Sequence, residues 1–128
     1  MVLAENSQGA LPAISLTGHS SLTTAFMNDV MSELVFAQKM NGYGKPGDVY
    51  LAISTSGNCK DVLYTAVNAK TKGLKVIGLT GSKDNKLMMY ADVCLCVPET
   101  ETYKIQVLHL PVYHCLCLML EERFFRGR

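Results

Sequence analysis

Three consecutive hydroxyl residues and a glycine stand between an apolar run and a helical pattern in this sequence. Ser54, Thr55 and Ser56 precede Gly57 and Asn58. Hydroxyl groups, together with the free N–H groups of a first helical turn, favour an anion, which the helix dipole also attracts. No lysine follows at the P-loop position, so the pattern favours a monophosphate over a nucleoside triphosphate. The alternative is that these hydroxyls only cap the helix.

The last helical segment carries a second group of polar residues. Gln106 and His114 stand eight residues apart, which places them about 80° apart around a helix and about 12 Å apart along it. They could meet one ligand only from opposite ends. His109 lies about 140° from His114, so the two histidines do not share a face. For each histidine the alternative is a hydrogen-bonded residue at a packed interface, and Pro111 is predicted to kink the helix between them.

Alternating apolar runs and helical patterns predict the elements that position these residues. Three runs are apolar on consecutive positions, which is typical of strands buried on both faces of a parallel sheet. These strands are predicted over 48–53, 74–79 and 92–97, with a further short strand within 12–16. Helices are predicted over 22–41, 59–72, 84–90 and 102–125. This order predicts an α/β domain whose ligands bind at the carboxyl ends of the strands, where Ser54–Asn58 lies.

The length and composition limit the number of domains and the classes of partner. The chain has 128 residues, 48% hydrophobic and 18% charged, with a net charge of +1. We expect one domain, with residues 1–10 as a loose lead-in and 11–125 as its core. The charge offers no general attraction for nucleic acid or an anionic membrane, and the apolar surplus predicts an oligomer interface. With no signal-peptide pattern and no apolar run near the roughly 20 residues of a spanning helix, we expect a cytoplasmic protein.

The cysteines form neither a disulfide framework nor a zinc knuckle. They are Cys59, Cys94, Cys96, Cys115 and Cys117. Their number is odd, and the two C-x-C pairs fall within a predicted strand and a predicted helix rather than on turns. We therefore expect reduced thiols that are buried for structural reasons.

Taken together, these motifs resemble the sugar isomerase (SIS) domain family over residues 9 to 125. The pattern is most similar to the phosphoheptose isomerase branch, which converts sedoheptulose 7-phosphate to a heptose 7-phosphate. The matching segments are Pro12–Ser15, Asn28–Asp29, Gly47–Asn58, Lys72–Gly81, Ala91–Asp92 and Ile105–His114. The resemblance implies a three-layer αβα sandwich with a parallel, flavodoxin-like sheet that lacks the family's first strand.

The resemblance also implies roles for individual residues. Those implied to bind phosphate and sugar are Ser54, Thr55, Ser56, Asn58 and Asp29. Gln106 and His114 are implied as catalytic, with His114 as the general acid/base for proton transfer between C1 and C2. The same two residues are implied as ligands of a metal, which in the family is often zinc.

The chain departs from the family pattern at its N-terminal part. The family's N-terminal helix, first strand, Gly-Asn-Gly-Gly-Ser loop and following helix are absent, and with them a catalytic Glu and a His ligand. Cys59 stands where the family usually has a hydroxyl, and Tyr103 stands where heptose isomerases have an acid. Without the first strand, the strand at Ala13–Leu16 is expected to pair directly with Val49–Ile53, unless another chain fills the gap.

The sequence therefore predicts a phosphosugar-binding SIS domain of a phosphoheptose-type aldose–ketose isomerase. Because the catalytic Glu is missing, we expect this chain alone to bind phosphosugar better than to isomerise it. One alternative is a non-enzymatic protein-binding module, as in the bacterial replication initiator-associating protein. Another is a sugar-phosphate sensor, in which the ligand changes a partner contact. The resemblance further implies a homodimer or homotetramer, with no nucleic acid or membrane as partner.

Overall fold

The computed structural model of the chain describes residues 13–16 and 35–126. Within these ranges, helices and strands alternate along the chain. They are α1 (Val35–Tyr43), β1 (Val49–Ile53), α2 (Lys60–Thr71), β2 (Lys75–Thr80), α3 (Leu87–Tyr90), β3 (Val93–Cys96) and α4 (Thr102–Glu121), followed by a π-helical turn (Glu122–Arg126). The elements predicted within 35–126 are confirmed with shifted ends, whereas the predicted start of the 22–41 helix lies outside the described residues. No helix in the described ranges is long and apolar enough to cross a membrane.

The three strands form one parallel sheet in the order β1-β2-β3. In its register, Leu51 lies beside Ile77, and Ile77 lies beside Val93. Parallel neighbours need long crossover connections, which α2 supplies between β1 and β2, and α3 between β2 and β3. This confirms the predicted α/β architecture with a parallel sheet.

One face of the sheet, the covered face, packs against α2 and α3. Ala52 of β1 and Val76 of β2 lie in the hydrophobic core with Leu63 and Ala66 of α2 and Leu87 of α3, all of them buried. The helix α1 packs against α2. Burial of these apolar side chains, contributed by successive strands and helices, supplies the main driving force for this arrangement.

The opposite face, the open face, keeps most of its apolar side chains accessible. These side chains are between 38% and 58% exposed, and they belong to Val49, Leu51, Ile53, Val93 and Leu95. The helix α4 contacts the carboxyl end of β2, where His109 meets the carbonyl of Thr80, and Leu79 on the open face is fully buried. Helices thus flank both sides of the sheet, but the prediction that the outer strands are buried on both faces is wrong. Apolar side chains on both faces of a strand make burial of both faces favourable. Whether each face is buried depends on whether another element packs against it.

Residues 13–16 form no strand. The predicted pairing of Ala13–Leu16 with Val49–Ile53 is therefore wrong. A strand is maintained by ladder hydrogen bonds to a neighbour, whereas here the carbonyl of Leu16 accepts a hydrogen bond from the ammonium of Lys39 on α1 at 2.6 Å. Lys39 is only 1% exposed, so this contact holds residues 13–16 against α1.

None of the five cysteines, all of which lie within the described residues, forms a disulfide, and most of them are accessible. Cys59, Cys96 and Cys115 are exposed, Cys94 is partly exposed, and Cys117 is buried. The expectation of buried thiols is confirmed only for Cys117. Cys94 and Cys96 lie on β3, whose outer edge has no strand beside it in the described residues. Partial burial still raises the pKa of the Cys94 thiol.

Candidate functional site

The loop Ser54–Asn58 joins β1 to α2 at the carboxyl edge of the sheet. Ser54 is buried, and its Oγ accepts the N–H of Gly57 at 3.0 Å. The Oγ of Ser56 accepts the N–H of Asn58 at 3.1 Å. These bonds use the serine oxygens as acceptors, so the hydroxyl hydrogens can still donate. The Ser56 Oγ also lies 4.0 Å from the Sγ of Cys59, and either atom could be the donor in that contact.

A tight contact joins this loop to the segment that leads into α3. Gly57 has a φ of 69°, a left-handed conformation that glycine adopts without a steric penalty. A Cβ at this position would lie 2.1 Å from the Cγ of Asn85. The N–H of Lys86 donates to the Oδ1 of Asn58, and the N–H of Leu87 donates to the carbonyl of Gly57, both at 3.0 Å. The loop is therefore fixed by two neighbouring strand–helix connections, not by its own turn alone.

The loop forms one wall of a cleft of about 290 Å³. The remaining walls come from the segment after β2, from the segment between β3 and α4, and from the start of α4. The lining residues are Thr55, Ser56, Asn58, Gly81, Ser82, Lys83, Asp84, Glu99, Thr100, Thr102 and Ile105. One cation and two carboxylates leave the lining with one net negative charge. An anion in this cleft therefore depends on hydroxyl and amide donors rather than on net charge.

The helix α2 begins directly behind the loop. Cys59 is at the N-cap position, and its side chain makes no capping hydrogen bond. The first N–H groups of a helix have no intrahelical partner. The N–H of Val62 donates to the carboxylate of Asp61 in this first turn at 2.8 Å. The helix dipole still places partial positive charge at this end of α2, beside the cleft, which favours a phosphate group.

The structure brings three of the predicted phosphate-binding residues to the cleft. Thr55, Ser56 and Asn58 line it, whereas the buried Ser54 supports the loop through its bond with Gly57. The hypothesis that the hydroxyls only cap α2 receives no support, because their hydrogen bonds lie within the loop.

The other predicted site residues do not join this group. Gln106 and His114 are exposed on α4 and are not among the residues that line the cleft, although Gln106 follows the lining residue Ile105. Asp29 lies outside the described residues. The catalytic role of Gln106 and His114, and the sugar-binding role of Asp29, stay predictions.

The described residues alone do not form a zinc site. Zinc in proteins takes three or four protein ligands, and the described ranges contain no group of three His, Cys, Asp or Glu side chains that could hold a metal ion. Gln106 and His114 supply two donors that are about 12 Å apart along the helix axis. Their predicted role as metal ligands therefore requires donors from outside this part of the chain.

One feature of the site was not predicted from the sequence, and one alternative interpretation is confirmed. Ser82 and Lys83 line the cleft, and the signal for them was the turn at Thr80–Ser82, since the carboxyl ends of neighbouring parallel strands meet at one edge. His109 was assigned no function, and its packed alternative is confirmed. Its side chain is fully buried, with Nε2 at 3.0 Å from the carbonyl oxygen of Thr80.

Two curated proteins with similar sequences are phosphoheptose isomerases. The phosphoheptose isomerase of Rhodospirillum rubrum is 42% identical over 112 residues, which cover 88% of this chain and 60% of that protein. The phosphoheptose isomerase of a Roseiflexus species is 40% identical over 115 residues, which cover 90% of this chain and 58% of that protein. The chain thus spans about 60% of the length of the curated relatives it matches.

Solved structures agree with this likeness. A phosphoheptose isomerase from Francisella tularensis matches with a TM-score of 0.88 and 35% identity over 92% of this chain and 63% of that one. The phosphoheptose isomerase of Neisseria gonorrhoeae gives a TM-score of 0.82 and 34% identity over 85% and 61% of the two chains. The Vibrio vulnificus NanR protein complexed with ManNAc-6P is 19% identical with a TM-score of 0.62, which supports the fold alone.

A family profile gives the assignment directly. The profile of the SIS domain matches residues 21–119, which include the loop, the cleft and most of α4. The sequence and structure comparisons point to the same family as the strand order and the Ser/Thr loop do. The chain therefore belongs to the SIS domain family, and it is homologous to the phosphoheptose isomerases.

Proposed function

We propose that this chain binds a sugar phosphate in the cleft beside Ser54–Asn58, and that the protein is an aldose–ketose isomerase of the phosphoheptose type. The observation that carries the proposal is the convergence of Thr55, Ser56 and Asn58 in one cleft next to the amino end of α2. Such a set of neutral donors suits a phosphomonoester. The identity of about 40% to phosphoheptose isomerases supports a seven-carbon sugar phosphate as the substrate class.

Four residues that line the cleft are proposed to bind the phosphate, and Ser54 supports them. The hydroxyls of Thr55 and Ser56 and the side-chain amide of Asn58 donate to the phosphate oxygens, which are charged acceptors and so form stronger hydrogen bonds. Lys83, on the facing wall, adds a cation within the same space. The buried Ser54 stabilises the loop conformation through its hydrogen bond with the N–H of Gly57.

The isomerisation itself moves a proton between C1 and C2 of the sugar. In the proposal His114 carries out this transfer as general acid and base, with Gln106 positioned beside the substrate. Both side chains are exposed and neither lines the cleft. This placement favours a second candidate function for the chain as it stands, namely phosphosugar binding without turnover. A cytoplasmic location and a homodimer or homotetramer complete the proposal.

Calorimetric titration with sedoheptulose 7-phosphate tests the binding site. Ser56→Ala removes one hydroxyl donor and the acceptor for the Asn58 N–H, so we expect the affinity to fall about tenfold, or about 1.4 kcal/mol. Thr71→Ala is the matched control, because it deletes an exposed hydroxyl at the far end of α2 and should leave the affinity unchanged. Unchanged affinity in Ser56→Ala would reject the phosphate-binding role of the loop.

A turnover assay with the same sugar phosphate and added Zn²⁺ separates the two candidate functions. Binding without turnover is the result expected for this chain. Turnover that disappears in His114→Ala would instead show that the chain contains a complete isomerase site, and it would reject the binding-only function.

A further inference from the structure

His109 is a fully buried polar residue of α4 that the proposed function does not use. Its Nε2 lies 3.0 Å from the carbonyl oxygen of Thr80 at the end of β2. A carbonyl oxygen only accepts hydrogen bonds, so Nε2 must carry the proton and donate it. The contact therefore fixes the tautomer of the imidazole and ties α4 to the sheet.

This hydrogen bond is not needed to satisfy the carbonyl. The carbonyl of Thr80 already accepts the N–H of Val97 at 3.1 Å. Within the described residues, the Nδ1 of His109 has no hydrogen-bond partner, and a buried polar atom without a partner lowers stability. An apolar side chain of similar size would avoid that loss, so stability alone does not account for a histidine here.

The residue next to Thr80 connects this contact to the cleft. The N–H of Gly81 donates to the carbonyl of Thr55 at 3.2 Å. A Cβ on Gly81 would lie 2.5 Å from the Cδ1 of Ile105, which shows how closely α4 approaches the strand end. His109 and Ile105 are one turn apart on α4, so together they enclose Thr80 and Gly81 on one side, while Gly81 holds Thr55 on the other.

We propose that His109 is a positioning residue of the sugar-phosphate cleft. It fixes α4 against the end of β2 and thereby sets the distance between the Thr55 wall and the first two turns of α4, which carry Ile105 and Gln106. A donor at Nε2 is what this position requires. The identity of the ligand, a sugar phosphate, rests on the proposed function. The positioning of α4 by His109 does not, because it is a property of the chain without ligand.

Two substitutions separate positioning from folding. His109→Leu removes the donor and keeps an apolar side chain, and we expect sedoheptulose 7-phosphate to bind about tenfold more weakly by calorimetry. His109→Gln restores an amide donor, and we expect it to recover affinity to within about threefold of the original chain. Cys117→Ala, at another buried position of α4, is the control that loses stability without losing affinity. Equal affinity in the Leu variant and the original chain would overturn the inference, as would an equal loss in Cys117→Ala.

A second readout needs no ligand. In ¹⁵N-labelled protein without sugar phosphate, His109→Leu should shift the amide signals of Gly81 and Thr55, and His109→Gln should return them towards their original positions. If the original chain binds no sugar phosphate, the proposed function fails while this measurement still decides the positioning role. Signals of Gly81 and Thr55 that are unchanged in His109→Leu would overturn it.

Discussion

The two faces of the sheet share an apolar composition but differ in what packs against them. Val76 on the covered face is fully buried beneath α2 and α3, whereas Val93 on the open face is 54% exposed. Both are valines in strands of one parallel sheet, so strand propensity does not separate them. The difference shows that an apolar strand pattern identifies surfaces that gain from burial, while the neighbouring elements decide which of them are buried.

The cleft lies at the carboxyl edge of the sheet. Its walls come from the connections after all three strands and from the start of α4. No open-face side chain of β1 or β3 lines it. The comparison therefore predicts that the covered face determines stability, that the open face determines association, and that ligand binding is largely independent of the open face.

The largest effect is expected when the covered face loses volume. Leu87→Ala removes a fully buried leucine and should lower the free energy of unfolding by about 3 kcal/mol, because it combines lost burial with a cavity. Leu51→Ala is the matched change on the open face, where the side chain is already 41% exposed, and it should cost less than about 1 kcal/mol. Denaturant unfolding measures both, and equal costs would contradict the distinction between the faces.

A charge on the open face should change association rather than folding. We expect the original chain to be a homodimer or homotetramer by light scattering, and Leu51→Lys combined with Val93→Lys to shift it towards the monomer, because each lysine would be desolvated in an apolar contact. Tyr64→Lys is the control, since it replaces a similarly exposed apolar side chain on α2. An original chain that is monomeric, or a control that dissociates equally, would contradict the role of the open face.

A smaller effect is expected at a polar contact on the covered side. The Lys70 ammonium, 2.8 Å from one carboxylate oxygen, and the Val76 N–H, 2.8 Å from the other, hold the pKa of Asp92 below its usual range. A lowered folded-state pKa means that the carboxylate stabilises the fold above its unfolded pKa, and that this contribution is lost as pH falls through the folded value. Asp92→Asn should therefore lower the melting temperature at neutral pH and make little difference in strong acid. A difference that grows towards low pH would show that the charge plays no such part.

Much of the fold could be predicted from the sequence because local patterns carry it. The apolar runs and the glycine-rich breaks located β1, α2, β2 and β3, and the carboxyl-edge rule placed Thr55, Ser56 and Asn58 together. The rest depended on long-range packing. Leu51 stays exposed because α4 does not cover it, and coverage by a distant helix cannot be predicted from the local sequence pattern.

Two errors have the same physical origin. The segment Ala13–Leu16 has a strand-like composition, but a strand also needs a ladder partner, and this one has a lysine contact instead. Cys96 stands in an apolar run that predicts a buried thiol, yet it is exposed on a strand at the sheet edge. Gln106 and His114 were placed by family resemblance, and their roles remain predictions.

The most direct test of the account is to map a sugar phosphate onto the chain by NMR. Titration of ¹⁵N-labelled protein with sedoheptulose 7-phosphate should shift the amide signals of Thr55, Ser56, Asn58 and Lys83 along one common binding curve, while those of Leu51 and Val93 on the open face stay in place. Saturable shifts centred on the open face, or no saturable shift at the Thr55–Asn58 loop, would contradict the assignment of this cleft as the sugar-phosphate site.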